Sequence, residues 1–343
     1  MPSSRNTLED ALKAAQQDAV ERRVFPGCVV GVRTPHGRTV SAYGHHTYDA
    51  HSPAVVETTL YDCASLTKSV VTATRALQLL DEGRLRLDDP LQAHVPEYCS
   101  SDVRIRHLLT YTVGGVALST LKDRTADEIV ATVLRTPPAA PPGTQFAYAN
   151  SPAFLLGLAL ERIGGPVSTH ESSSTRGKPL DRQASERIFE PRGMRATTFA
   201  PRGAAPTEEG VQDIVHDESA RVFARAGRVV GHAGLFSTVP DLLSFLEQLL
   251  HNPDPRLETN YLADIGESAS LGWELNQPHF MGRLRSSRTF GKTGFTGASI
   301  VCDTSRQTAI VILSNRTYPH RPPDASAINR FRSDISDIVF GSL

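Results

Sequence analysis

Three stretches of the chain place apolar residues at the three- and four-residue spacing of an amphipathic helix. They comprise Leu8, Leu12, Ala15 and Ala19 near the N-terminus, Leu66, Val70, Ala73, Leu77 and Leu80 further along, and Ile328, Phe331, Ile335 and Ile338 near the C-terminus. Each pattern predicts a helix that buries one face. Gly83 closely follows the second stretch and is expected to end that helix.

Other stretches carry the short apolar runs of β-strands. Residues 28–34 are rich in valine, the turn Pro35-His36-Gly37-Arg38 follows, and residues 39–43 form a second run. This pattern predicts a β-hairpin. Nearer the C-terminus, runs joined by short turns predict antiparallel strands at residues 289–293, 298–302 and 308–313.

The middle of the chain gives mostly helical patterns with proline-rich breaks at Pro137-Pro138 and Pro141-Pro142-Gly143. A helix is predicted over residues 154–163, and Ser237 or Thr238 is expected to cap another helix beyond this region. A polar run at 168–178 predicts a mobile loop, in an insertion at 166–185 whose role the sequence leaves open.

Taken together, these elements predict one α/β domain, residues 1–343, with an antiparallel sheet flanked by helices. The α/β lobe is expected to form from about 1–84 and 226–343. A mostly helical lobe, about 85–225, is expected to be inserted between them.

Charge is balanced along the chain. Its 36 Lys and Arg residues face 37 Asp and Glu residues, so the formal net charge is -1. No nucleic acid or membrane partner is therefore expected, and a small neutral or mixed substrate is favoured. The opening residues lack the apolar run of a secretion signal, which predicts a cytoplasmic location. The oligomeric state stays open.

Cysteine and histidine do not follow any metal-binding spacing. Cys28, Cys63, Cys99 and Cys302 are scattered without a C-x-x-C pair, which predicts free buried thiols in a reducing compartment. The pair His45-His46 is not part of an H-E-x-x-H motif. We therefore predict no metal and no cofactor.

Candidate chemistry begins at Ser65-Leu66-Thr67-Lys68, where a hydroxyl and an amine lie three residues apart at the start of a predicted helix. Backbone N–H groups at a first helical turn favour a developing oxyanion. A buried lysine can lose its proton at neutral pH and accept one from the serine.

A second copy of this spacing, Ser119-Thr120-Leu121-Lys122, is expected to lie in a loop. Thr125 and Glu128 form a capping-box pattern that begins a helix only after it. The second lysine should therefore lack the buried setting that lowers a pKa.

Two further stretches admit more than one interpretation. In Tyr148-Ala149-Asn150 a phenol and an amide could serve chemistry, or the tyrosine could pack at a helix entry with Asn150 or Ser151 as cap. The glycines around Lys292-Thr293-Gly294 suggest a phosphate loop. That interpretation is rejected for two reasons. Ser286 stands where the phosphate-loop motif needs a glycine, and a strand is predicted where the motif needs a helix.

These three motifs, in this order, resemble the serine β-lactamase and penicillin-binding-protein superfamily. The Tyr-x-Asn form resembles the class C-like branch, which includes esterases, D-amino-acid peptidases, muramyl-peptide amidases and acyltransferases. Residues 105–110, 215–221 and 231–238 are also similar to stretches common in that branch.

Two departures from the branch stand out. Many esterase-like relatives have histidine at the position of Lys292. Relatives usually have His and Ser at the positions of Tyr111 and Val113, so the rim of the cleft is expected to differ.

The resemblance implies that Ser65 forms an acyl-enzyme and that Lys68 and Tyr148 together act as the base. It implies that Asn150 orients Lys68 and the substrate amide. Backbone N–H groups of Ser65 and Phe295 would form the oxyanion hole, and Lys292, Thr293 and Gly294 would complete the substrate edge.

The function expected from the resemblance is hydrolysis of a small-molecule ester, amide or thioester. The alternative is transfer of the acyl group to an amine or alcohol. A D-amino-acid peptidase, a β-lactamase or a non-catalytic binding relative is less favoured. Family membership indicates the chemistry better than it indicates the substrate.

Overall fold

The computed structural model describes residues 4–164 and 177–343. Most of the polar run predicted to be a mobile loop therefore lies outside the described residues. Within the described ranges, no helix is both long enough and apolar enough to cross a membrane.

The strands form a six-stranded antiparallel sheet and a separate two-stranded one. In chain order the strands are β1 (Gly27–Thr34), β2 (Gly37–Gly44), β3 (Tyr61–Asp62), β4 (Phe236–Ser237), β5 (Glu274–Leu275), β6 (Thr289–Thr293), β7 (Ser299–Asp303) and β8 (Thr308–Ser314). The large sheet has the order β2-β1-β8-β7-β6-β5, and β3 pairs with β4. The predicted hairpin and the three C-terminal strands are confirmed to within two residues.

Eleven α-helices surround these strands in the described residues. They are α1 (Ser4–Glu21), α2 (Thr74–Asp81), α3 (Ile105–Leu109), α4 (Ala126–Arg135), α5 (Asn150–Ile163), α6 (Leu180–Ala184), α7 (Glu218–Arg225), α8 (Val239–His251), α9 (Pro255–Glu258), α10 (Pro278–Met281) and α11 (Ser326–Gly341). Thr238 caps α8, and Thr125 with Glu128 forms the expected capping box of α4.

Helices cover both faces of the large sheet because successive side chains of each strand point to opposite sides. Val30 and Val32 of β1 belong to an apolar cluster with residues of α1 and α11, whereas Val29 belongs to a cluster with residues of α8. The predicted α/β fold, an antiparallel sheet flanked by helices, is confirmed.

The described part of residues 85–225 contributes helices α3 to α7 and no strand to the large sheet. The division into two lobes remains a prediction. One expectation is wrong: Cys28, Cys63 and Cys302 are buried, but Cys99 is exposed. Cys99 lies in a loop before α3.

Candidate active site

Ser65 lies in the turn between β3 and the helical segment that ends with α2. The residue before it, Ala64, has φ +46°, a conformation that non-glycine residues rarely adopt. The buried Asp62 carboxylate stabilises this turn by accepting hydrogen bonds from the backbone N–H of Ala64 and of His216, each 2.7 Å long. The serine is thereby held at the start of a helix.

The predicted helix after Ser65 is present, with one irregularity: residues Lys68–Ala73 form a π-helical segment before α2 begins. Extra-wide turns of this kind are frequent at functional sites. Here the wide turn carries Lys68.

Lys68 is buried beside the serine. Its Nζ donates to Ser65 Oγ at 2.7 Å and to the His232 carbonyl at 2.9 Å, and the residue is 1% exposed. Burial and the nearby Lys292 charge lower the pKa of Lys68, although Tyr148 acts in the opposite direction. A neutral amine held at this distance can accept the hydroxyl proton.

Tyr148 stands over both lysines on the wall of the cleft. The residue as a whole is 46% exposed, while Lys292 Nζ and Lys68 Nζ lie 4.3 and 5.4 Å from its ring centroid. Loss of water around the hydroxyl opposes ionisation, but Lys292 and Lys68 outweigh it and the pKa of Tyr148 is lowered. The two cations therefore favour the phenolate.

Asn150 is the first residue of α5, and the cap position is Ala149, so the alternative interpretation of Asn150 or Ser151 as the cap is wrong. Its amide donates to Asp217 Oδ2 at 3.0 Å. The other oxygen of Asp217 accepts from the Ser219 hydroxyl and lies 3.3 Å from His232 Nε2. A series of contacts therefore runs from Asn150 through Asp217 to His232, whose carbonyl accepts a hydrogen bond from Lys68.

Lys292 is buried on β6, where Glu274 of the neighbouring strand β5 pairs with its Nζ at 2.9 Å. Burial opposes its charge, but Glu274 and Tyr148 raise the pKa of Lys292 well above its ordinary value. The side chain is therefore a fixed cation. Sequence reasoning missed Glu274 because β5 is only two residues long.

The segment after β6 docks directly on the nucleophile turn. A side chain at Gly294 would meet the Cys63 carbonyl at 2.5 Å, so only glycine allows this close approach. The Thr296 hydroxyl donates to the Asp62 carbonyl at 2.7 Å. Within the described residues, neither the Ser65 N–H nor the Phe295 N–H donates a hydrogen bond to the protein. Both groups are left free for a ligand oxygen.

These groups line a cleft of about 500 Å³. Of the predicted site residues, Ser65, Tyr148, Asn150, Thr293, Gly294 and Phe295 line its wall. Lys68 and Lys292 are buried, each within 6 Å of the Tyr148 ring. No group of three or more metal-ligating side chains occurs among the described residues.

Two buried arginines, Arg316 and Arg332, also line the cleft, and sequence reasoning did not foresee them. The buried guanidinium groups of Arg316 and Arg332 bond to backbone carbonyls, including those of Phe295 and Gly294. No ion pair to a carboxylate occurs for either group within the described residues.

The second Ser-x-x-Lys copy is a short 3-10 helix, Leu118–Leu121, and not a plain loop. Ser119 lines the same cleft. The Lys122 side chain is 48% exposed and pairs with Glu218 at 3.7 Å, so it lacks the buried setting of Lys68.

The altered rim residue is also placed differently from the expectation. Tyr111 is 4% exposed and lies against the Tyr148 ring, not on the rim of the cleft.

Comparison with known families decides the assignment. A family model described as "Beta-lactamase" matches residues 12–333. The chain belongs to the β-lactamase family. This confirms the resemblance drawn from the three motifs.

Two bacterial relatives of this chain have the same name. The chain is 31% identical to a protein named putative D-alanyl-D-alanine carboxypeptidase from Escherichia coli K12, over 77% of this chain and 70% of the relative. A Salmonella agona protein of the same name is 28% identical, over 84% and 76%.

Solved structures show the same β-lactamase fold at lower identity. A class C β-lactamase superposes with TM-score 0.76 at 18% identity, with all of both chains covered. EstCE1, a hydrolase with promiscuous acyltransferase activity, gives 0.76 at 19% over 98% of this chain and 99% of the other. Simvastatin synthase from Aspergillus terreus gives 0.74 at 17%, over 99% and 98%.

Proposed function

We propose that this protein is a serine hydrolase that cleaves an ester or amide of a small molecule through a covalent acyl-enzyme on Ser65. The observation that carries the proposal is the 2.7 Å contact between Lys68 Nζ and Ser65 Oγ on a buried lysine whose pKa is lowered. A weak nucleophile needs an adjacent base of this kind.

In the proposed reaction, Ser65 Oγ attacks the substrate carbonyl carbon and its proton passes to the Lys68 and Tyr148 pair. The tetrahedral oxyanion lies between the backbone N–H groups of Ser65 and Phe295. The pair then protonates the leaving alcohol or amine as the carbonyl re-forms. Water repeats the attack on the acyl-enzyme and regenerates Ser65.

The two lysines have different electrostatic roles in this proposal. Lys292 is held charged by Glu274 and stabilises the Tyr148 phenolate. Lys68 is the group whose charge changes, because burial and Lys292 both disfavour its protonated form. Protons taken up by such a pair belong to the pair as a unit.

A second candidate is removal of a C-terminal amino acid from a peptide. The guanidinium groups of Arg316 and Arg332, which line the cleft beside Gly294 and Phe295, favour a substrate with a carboxylate there. The carboxypeptidase name of the 31% identical relative is consistent with this candidate.

Intact-protein mass spectrometry tests the proposal. The protein is incubated with activated esters, thioesters, β-lactams and a peptide ending in D-Ala-D-Ala, with Ser65→Ala as the matched control. We expect a mass gain of one acyl group on the unaltered protein only. Amines are then added, and amine-dependent loss of the acyl group would favour transfer over hydrolysis. A folded protein that no probe labels would contradict the proposal.

A further inference from the structure

Tyr111 contacts the two groups on which the proposed chemistry depends. Its ring centroid lies 5.2 Å from that of Tyr148, with an angle of 46° between the planes. Lys292 Nζ lies 5.1 Å from the Tyr111 centroid and 4.3 Å from the Tyr148 centroid. The ammonium group is therefore within cation–π distance of both rings.

The backbone of Tyr111 holds it in this place. Its φ is +54°, a left-handed conformation that costs energy for a bulky residue. Its carbonyl accepts a hydrogen bond of 2.8 Å from the N–H of Ala147, the residue directly before Tyr148. The same residue thus fixes the chain that carries Tyr148 and packs against the ring itself.

Lys292 has competing neighbours. Glu274 attracts its ammonium at 2.9 Å, and two aromatic rings attract it with centroids 5.1 and 4.3 Å away. A long lysine side chain with a single carboxylate partner has freedom to follow that partner. Two rings and the carboxylate together define one position for the charge.

We propose that Tyr111 is a positioning residue, whose ring holds the Lys292 ammonium against Tyr148 so that the charge favours the Tyr148 phenolate. The role belongs to the ring and not to the hydroxyl. The inference rests on the proposed function for its importance in catalysis, but the contact itself can be tested without turnover.

Several charged groups face Tyr148 and must be kept in the comparison. Lys292 and Lys68 favour the phenolate, whereas Glu274 opposes it. Asp217 favours the protonated form of Lys68. Tyr111 stays a neutral phenol because burial raises its pKa. A change that removes only the Tyr111 ring leaves each of these charges in the protein.

The test is a titration of Tyr148 by NMR, with the ring carbon that bears the hydroxyl labelled in all tyrosines. The Tyr148 signal is identified by its loss in Tyr148→Phe. In Tyr111→Leu we expect the Tyr148 midpoint to rise by about one pH unit, because the cation is no longer held against the phenolate. In Tyr111→Phe, which keeps the ring, we expect the midpoint to stay within about 0.3 unit.

The same Tyr111 substitution in a Lys292→Met protein tests whether Tyr111 acts through Lys292. In Lys292→Met, Tyr111→Leu should produce no further shift, since the charge it positions is absent. If Tyr111→Leu does not fold, Tyr111→Asn replaces it, because asparagine has no ring and tolerates the left-handed backbone.

Three results would overturn the inference: an unchanged midpoint in the ring-less variants, an equal shift in Tyr111→Phe, or a shift that persists in Lys292→Met. Acylation by 4-nitrophenyl acetate is measured on the same proteins. If the Tyr148 midpoints shift as expected but the protein is not acylated, the proposed function is wrong and this inference holds. If the protein is acylated but the midpoints do not shift, this inference is wrong and the proposed function holds.

Discussion

Ser65-Leu66-Thr67-Lys68 and Ser119-Thr120-Leu121-Lys122 share their spacing, and both place the serine on the wall of one cleft. Around Ser65, the buried Lys68 Nζ lies 2.7 Å from the serine Oγ. A strained turn at Ala64, the buried Asp62 carboxylate and the π-helical segment that carries Lys68 produce this arrangement. Around Ser119, a 3-10 helix leaves Lys122 half exposed beside Glu218. The spacing is common to both, and burial makes the difference.

The comparison shows why a four-residue motif carries little information by itself. An exposed lysine in high dielectric keeps its proton at neutral pH, and a nearby carboxylate holds it more firmly. A buried lysine next to another cation gives up its proton more easily. The predictions below test this difference.

The largest effect is expected at the two serines. Ser65→Ala should lower the rate of acylation by 4-nitrophenyl acetate by a factor of about 10³ or more, because it removes the nucleophile of a linked set of groups. Ser119→Ala should leave the rate within about twofold. Stopped-flow single-turnover assays give both rates, with circular dichroism to confirm folding. Equal losses would mean that the wrong serine has been assigned.

The next effect concerns the base. Tyr148→Phe should lower the acylation rate by about 10²–10⁴, while Lys122→Met, which removes the exposed lysine, should not change it measurably. In the unaltered protein the rate should rise with pH, on a limb that reports the coupled Lys68 and Tyr148 pair, because the base must lose its proton first. Full single-turnover acylation by Tyr148→Phe at neutral pH would rule out the proton relay.

A smaller effect is expected at Lys292, where histidine is the common residue in esterase-like relatives. Lys292→His makes the positive charge depend on pH. Small neutral esters should keep about a tenth of their rate, while an anionic ester loses about 1–3 kcal/mol of transition-state stabilisation. The measurement is kcat/KM on two esters that differ only by a carboxylate. An unchanged ratio would show that Lys292 does not distinguish substrate charge.

The last effect is measured on stability and concerns Asp62, the buried carboxylate that accepts two backbone hydrogen bonds at the Ser65 turn. Burial raises the pKa of Asp62 to about 6 from 3.8. Between about pH 4 and pH 6 the folded state therefore holds more protons than the unfolded state, so this group's contribution to the free energy of unfolding falls as pH rises.

Asp62→Asn removes that dependence. The unfolding free energy of the natural protein relative to Asp62→Asn should fall by about 2 kcal/mol between pH 4 and pH 7. Urea unfolding at the two pH values measures it. A difference that stays constant, or one that grows in favour of the natural protein, would contradict a raised pKa.

The sequence predicted much of the fold because its long elements have clear periodicity. Residues 289–293 form β6, and the amphipathic stripe near the C-terminus forms α11. The two-residue strands β3, β4 and β5 have no pattern to detect. Glu274 was missed for this reason, since its role depends on which strand lies beside Lys292.

Other site features depend on contacts between distant segments. Asn150 was considered as a helix cap, but its amide bonds to Asp217, 67 residues away. Tyr111 was expected on the rim, yet it is buried against Tyr148. Arg316 lies in the turn after β8, and Arg332 lies in α11. Neither spacing nor composition indicates that such residues meet.

The central claim is that Ser65, and not Ser119, forms the acyl-enzyme. The most direct measurement is to incubate the protein with 4-nitrophenyl acetate, stop the reaction in acid, digest it and locate the acetyl group by tandem mass spectrometry. We expect one acetyl group, on the peptide that contains Ser65, and none on that peptide in Lys68→Met within the same time. An acetyl group on Ser119, or labelling of Ser65 that is unchanged in Lys68→Met, would contradict it.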